Sequence, residues 1–94
     1  MTDEGMKSIG EVSTLHGLGC GGNKITAAGI RHLTRLKYIR SLDVNDSPLI
    51  TNAVFAHLYN MPSLREINLT ATAVTIDEVN EFRAKRPDCR LQFQ

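Results

Sequence analysis

Apolar and polar positions along the chain follow two spacings in turn. Pairs of apolar residues separated by a single intervening residue occur at Leu18 and Cys20, Leu42 and Val44, Ile67 and Leu69, and Leu91 and Phe93. Two side chains so spaced project from the same face of an extended strand, and the residue between them points the other way. Further along each unit the spacing changes to three and four, as in Ile30, Leu33 and Leu36, then Val54, Leu58 and Met61, then Val79 and Phe82. That spacing predicts one apolar stripe along a helix. Each unit therefore reads as strand, turn, helix, and Thr26, Thr51 and Thr75 precede the three stripes, where a hydroxyl would accept from free amides of a first helical turn.

The pairs recur at steps of 24, 25 and 24 residues, the extra residue falling near Pro48 and Leu49. The opening of the chain is already in phase: Thr2, Gly5, Met6, Ile9 and Val12 lie 24 positions before Thr26, Gly29, Ile30, Leu33 and Leu36. The first copy is thus a helix without its strand. Neither a short strand nor a short amphipathic helix buries its apolar side alone, so the expected arrangement stacks successive units into one core. A single domain over residues 1–94 is expected, with a partial repeat at 1–14, repeats near 15–38, 39–63 and 64–87, and a terminal strand at 88–94.

The stretch LHGLGCGGNKITAAGIRHL resembles the leucine-rich repeat pattern L-x-x-L-x-L-x-x-N-x-[LI]-T-x-x-G-[LI]-x-x-L, and the resemblance extends over essentially the whole chain. Phased copies of a pattern this long are far more specific than an isolated short motif. The period is similar to that of the cysteine-containing, F-box-associated and bacterial subtypes. The resemblance implies an α/β solenoid, a short right-handed horseshoe segment with a parallel sheet of about four short strands on one face and helices on the other. In that family the asparagine at the ninth position ties backbone groups of adjacent turns together. Here Asn23 holds that position, and Ser47 and Thr72 replace it in the next copies, which predicts a weaker ladder because a hydroxyl has fewer hydrogen-bonding groups than an amide. The structural positions are then Leu18, Cys20, Asn23, Leu42, Val44, Ile67, Leu69, Leu91 and Phe93.

The family grips protein partners from its strand wall. By the resemblance, that wall carries Gly19, Asp43, Asn68 and Gln92 between the paired apolar residues, Gly17, Ser41, Glu66 and Arg90 before them, and Gly21, Asn45 and Thr70 after them. The protein-binding candidates are Arg40, Ser41, Asp43, Asn45, Arg65, Glu66, Asn68, Thr70, Arg90 and Gln92. The implied function is a non-catalytic protein-interaction module, a fragment or C-terminal end of a larger adaptor or scaffold. The alternatives are an assembly factor for a membrane or mitochondrial complex and a ubiquitin-ligase substrate-receptor adaptor. The wall is bare on its first strand, holds no aromatic anchor, and spans on the order of 200 Å² from four strands ~4.8 Å apart and ~10 Å long. A stable interface takes about 800 Å² from each partner, so flanks and ends are expected to contribute. The first unit has no polar cap, and self-association at its open amino-terminal edge is expected.

Composition narrows the remaining classes. Eleven Lys and Arg stand against ten Asp and Glu, for a net charge of +1, so the balance points to neither nucleic acid nor an anionic membrane surface. The basic segments Arg31, Arg35, Lys37, Arg40 and Arg83, Lys85, Arg86, Arg90 lack interleaved aromatics and read as solvated faces. Asp77, Glu78 and Glu81 read as charges of a helix's first turns. No apolar run approaches the ~20 residues of a membrane span, so no membrane insertion is expected. Two cysteines without a metal-ligand spacing suit a reducing intracellular compartment, the cytoplasm first. Assigned to the outermost strands, they would lie about 14 Å apart, beyond the ~6 Å of a disulfide, and both read as core.

His32 and His57 occupy equivalent positions, and His16 precedes the first strand, but no third ligand joins them and no nucleophile pairs with them, so neither metal, cofactor nor enzyme activity is expected. The GCGG of residues 19–22 lacks the order of a phosphate-binding loop and reads as backbone crowding or a shallow spot on the wall.

Overall fold

The computed structural model of the chain describes residues 2–93. The elements run α1 (Asp3–Ile9), β1 (Gly17–Gly19), α2 (Ala27–Arg31), a 3-10 turn (His32–Arg35), β2 (Ser41–Asp43), α3 (Val54–Leu58), β3 (Glu66–Asn68), α4 (Ile76–Lys85) and β4 (Arg90–Gln92). The fold is mixed α/β, with one open sheet of four strands in chain order β1-β2-β3-β4, every neighbouring pair parallel. The register places Leu18 beside Leu42, Leu42 beside Ile67 and Ile67 beside Leu91. These four share the inward face, and the core they join is completed by Met6, Ile30, Leu33, Val54, Leu58, Val79 and Phe82 from the helical segments.

The strands are only three residues long, yet the hydrogen-bonded ladder extends beyond them in repeating bonds. Before the strands, Arg40 N donates to His16 O at 2.6 Å, Arg65 N to Arg40 O at 2.7 Å and Arg90 N to Arg65 O at 2.7 Å. After them, Cys20, Val44 and Leu69 donate to the carbonyls of Asp43, Asn68 and Gln92 at 2.8, 3.1 and 2.8 Å. Each turn thereby meets the backbone demand of its neighbour, which a short strand cannot meet within itself.

Beyond each of the first three strands the chain turns through the left-handed region at equivalent positions: Gly22 (φ 72°), Asp46 (φ 53°) and Ala71 (φ 57°). The polar column next to it is also periodic. Asn23 Nδ2 donates to Cys20 O at 2.7 Å and to Gly21 O at 3.0 Å. Thr72 keeps the equivalent of the first bond, to Leu69 O at 2.7 Å, and Ser47 the equivalent of the second, to Asn45 O at 3.3 Å. The amide nitrogen carries two donor hydrogens and a hydroxyl only one, so each replacement retains one bond of the pair. These bonds run within a turn.

The threonines divide three ways. Thr26 caps α2, its side chain accepting from Ala28 N at 3.2 Å. Thr75 stands at the N-cap of α4 but gives that helix no side-chain bond; it engages Asn52 instead. Thr51 is not a cap, because α3 begins after Ala53. The ends differ from the central turns as well. Leu18 and Phe93 are only partly buried against the core, each being at an end of the stack, while Leu42 and Ile67 are 2% and 3% exposed. The first helical layer is covered, since α1 packs on α2 with Met6 fully buried. Gly29 permits that approach: a Cβ there would collide with the Asp3 carboxylate. In the sheet, β1 is the edge strand at this end and pairs with β2 alone.

A left-handed backbone costs an L-residue other than glycine roughly 1–2 kcal/mol, and glycine's extra unfolded-state freedom returns about half of that. Ala71→Gly is therefore expected to raise stability by about 0.5–1 kcal/mol in denaturant unfolding. A decrease would contradict the strained assignment at Ala71.

Candidate functional site

The outward face of the sheet forms a shallow, open concavity of about 430 Å³. Its wall is built by alternation, since residues flanking each inward leucine or isoleucine must point outward. It is lined by Gly17 and Gly19 of β1, Ser41 and Asp43 of β2, Glu66 and Asn68 of β3, and Arg90 and Gln92 of β4. The glycines leave β1 without side chains on this face, and a Cβ at Gly19 would meet open space. The relief is therefore lowest at β1, and the charges run from Asp43 and Glu66 to Arg90 across the remaining strands. Gly21 is a different case: a Cβ there would run into the side chain and carbonyl of Asn45, so crowding explains this part of the GCGG stretch.

Of the ten strand-wall candidates, Ser41, Asp43, Glu66, Asn68, Arg90 and Gln92 line the concavity, and Arg40, Asn45, Arg65 and Thr70 do not. Arg65 is held by Pro62 O at 2.7 Å, Leu64 O at 3.0 Å and the Asp88 carboxylate at 3.1 Å. Asp43 and Asn68 have a local role that the repeat pattern concealed. Asp43 Oδ1 accepts from Asn45 N at 3.0 Å, and Asn68 Oδ1 accepts from Thr70 N at 3.0 Å. Each is an Asx turn that steers the chain out of its strand. The signal was present in the sequence as an Asp or Asn at the end of a strand, but the same residues also satisfy the outward alternation. Glu66, Arg90 and Gln92 are exposed and supply polar side chains directed at solvent.

The thiols lie off this face. Cys20 and Cys89 are both free and buried. Burial, reinforced by the nearby Asp43 charge, pushes the Cys20 thiol up to about 11, and burial likewise raises that of Cys89. Neither has the electropositive, exposed setting that makes a cysteine nucleophilic. His16 is exposed and sits edge-on to Tyr38, with ring centroids 6.1 Å apart, while His32 and His57 are half-buried on the helical side. Among the described residues, no three His, Cys, Asp or Glu side chains are grouped to hold a metal ion, and no helix is long and apolar enough to cross a membrane.

The second basic segment is not uniformly solvated. Arg83 reaches Leu91 O at 2.9 Å, and Lys85 pairs with Glu81 at 2.7 Å. Arg86 departs furthest from the expected solvated face, its side chain only 14% exposed. It donates to Leu58 O, Met61 O and Leu64 O at 3.3, 3.4 and 3.0 Å, and is oriented by Asp88 at 3.1 Å. It thereby adds a charged donor to the carbonyls at and beyond the end of α3, of which Leu58 O and Met61 O also accept the backbone amides of Met61 and Leu64. The Arg86 guanidinium in turn holds the Asp88 carboxyl below its ordinary range.

No protein-family model matches the chain, and no curated protein matches it.

A thiol raised from 9.0 to about 11 carries about a hundredfold less thiolate at pH 8 than an ordinary one. Cys20 in the folded chain is thus expected to react with a disulfide reagent at least about a hundredfold more slowly than in urea. Because the folded thiol is the harder to ionise, its contribution to stability is complete below pH 9 and is lost as pH rises toward about 11. Fast labelling of the native chain at pH 8 would contradict this.

Proposed function

We propose that the chain is a segment of a leucine-rich-repeat solenoid, a short horseshoe that works as a non-catalytic protein-interaction module through its strand face. The observation that carries this reading is the unbroken register of residues 18, 42, 67 and 91 across four parallel strands, which turns a sequence period into a continuous outward wall. The wall's chemistry supports recognition rather than reaction. Ser41, Glu66, Asn68, Arg90 and Gln92 offer donors, acceptors and both charges on a shallow surface, while one oxygen of Asp43 is committed to an Asx turn and the thiols are buried. Rigid strands fix the spacing of these groups, and such preorganisation limits the ordering cost of association.

The reading is tested with Glu66→Arg plus Gln92→Arg, which adds two positive charges to the concavity, removes one negative charge and leaves every hydrogen bond named above untouched. A like-charge or wrong-charge contact across an interface costs several kcal/mol. Proteins cross-linked to the intact chain through this face are expected to be lost by tenfold or more from a variant whose melting temperature is unchanged. Undiminished capture, or cross-links mapping to the helical side, would overturn the strand-face assignment.

A further inference from the structure

The helix layer is tied across units by a recurring polar clamp with one missing member. The Asp3 carboxylate accepts from Thr26 N at 2.8 Å and from Thr26 Oγ1 at 2.6 Å. Two units later, Asn52 Oδ1 accepts from Thr75 N at 3.0 Å, and Asn52 Nδ2 donates to Thr75 Oγ1 at 3.2 Å. Both clamps span 23 residues and join one threonine to the residue that follows the threonine of the preceding unit. At the intermediate unit that residue is Ala27, whose methyl group can accept nothing, and the threonine it would hold is Thr51. Thr51 is exposed, its N–H and hydroxyl have no partner among the described residues, and it does not become a cap: α3 starts after Ala53 with no side-chain bond.

We infer that the fold carries a built-in point of local opening on the α2 side of α3, beside Thr51 and set by Ala27. Here the first turn of α3, held toward α4 by Asn52 but by no polar clamp toward α2, separates from α2 ahead of its neighbours and bares Val54 and Phe55. The polar clamps thus join α1 to α2 and the start of α3 to the start of α4, while α2 and α3 pack directly on each other with no clamp between them. α2 and α3 are each five residues, but α2 runs on directly into the 3-10 turn His32–Arg35, so helix length and the clamps act together and the variants that add or remove a clamp separate the two. The clamps contribute the capped and clamped Thr26 against the free Thr51. Opening with few exposed backbone bonds to break is the pattern that native-state hydrogen exchange reads directly.

The test is residue-resolved amide exchange on the full chain. After correction for intrinsic rates, Val54 and Phe55 are expected to exchange about tenfold or more faster than Gly29 and Ile30. One net hydrogen bond contributes about 0.5–1.5 kcal/mol, so Ala27→Asn, which restores an acceptor facing Thr51, is expected to slow Val54 and Phe55 about 3–10-fold. Asp3→Ala is expected to speed Gly29 and Ile30 toward the rate of Val54, and Asn52→Ala to speed Val79. Equal rates at Gly29 and Val54 in the unaltered chain would overturn the inference. So would clamp removals at Asp3 and Asn52 that leave Gly29 and Val79 as slow as before, whether or not Ala27→Asn folds.

Discussion

The parallel register of the four strands is the constraint on which everything else rests. With Leu18, Leu42, Ile67 and Leu91 side by side, the residues before and after each of them also fall into columns. One spacing then decides which side chains meet the helices and which meet solvent. A slip of one residue would turn every inward side chain outward. The slip is resisted on both sides of the strands by bonds that repeat from unit to unit, from the amides of Arg40, Arg65 and Arg90 before them to those of Cys20, Val44 and Leu69 after them.

The columns tolerate different residues because each imposes a narrow physical demand. The position after the strand that turns left-handed accepts Gly22, Asp46 or Ala71 at rising conformational cost. The neighbouring polar column accepts an amide that makes two bonds or a hydroxyl that makes one of them. The clamp column accepts Asp3 or Asn52 but gains nothing from Ala27. The polar ties are consequently uneven from unit to unit, and the irregularity traces to single side chains rather than to a change of architecture.

The outward face inherits its shape from the same register. Glycines on β1 lower one side of the concavity, and polar residues on β2 to β4 furnish the rest. Two of those residues, Asp43 and Asn68, also end their strands by accepting a backbone amide, so the groups available for contact are fewer than alternation suggests. Arg86 is drawn away from solvent by carbonyls at the ends of turns, and Arg65 is held by two such carbonyls while staying exposed. A cation placed where a helix or turn exposes its last carbonyls finds stronger acceptors there than in a distant partner.

The sequence alone determined the unit, its period and its inward face, because burial of an apolar pair and an apolar stripe leaves a direct imprint on residue spacing. The four strands, the left-to-right order of the sheet and the buried thiols were legible for that reason. What only the tertiary structure decided depends on who stands opposite whom. The withdrawal of Arg86 into the end of α3, the partial exposure of Leu18 and Phe93, and the engagement of Thr26 and Thr75 but not Thr51 all require contacts 22 to 28 residues distant or the lack of a neighbour at an end. Hydrogen bonds of that kind are directional and satisfied by either of several residues in space, so they leave no periodic trace along the chain.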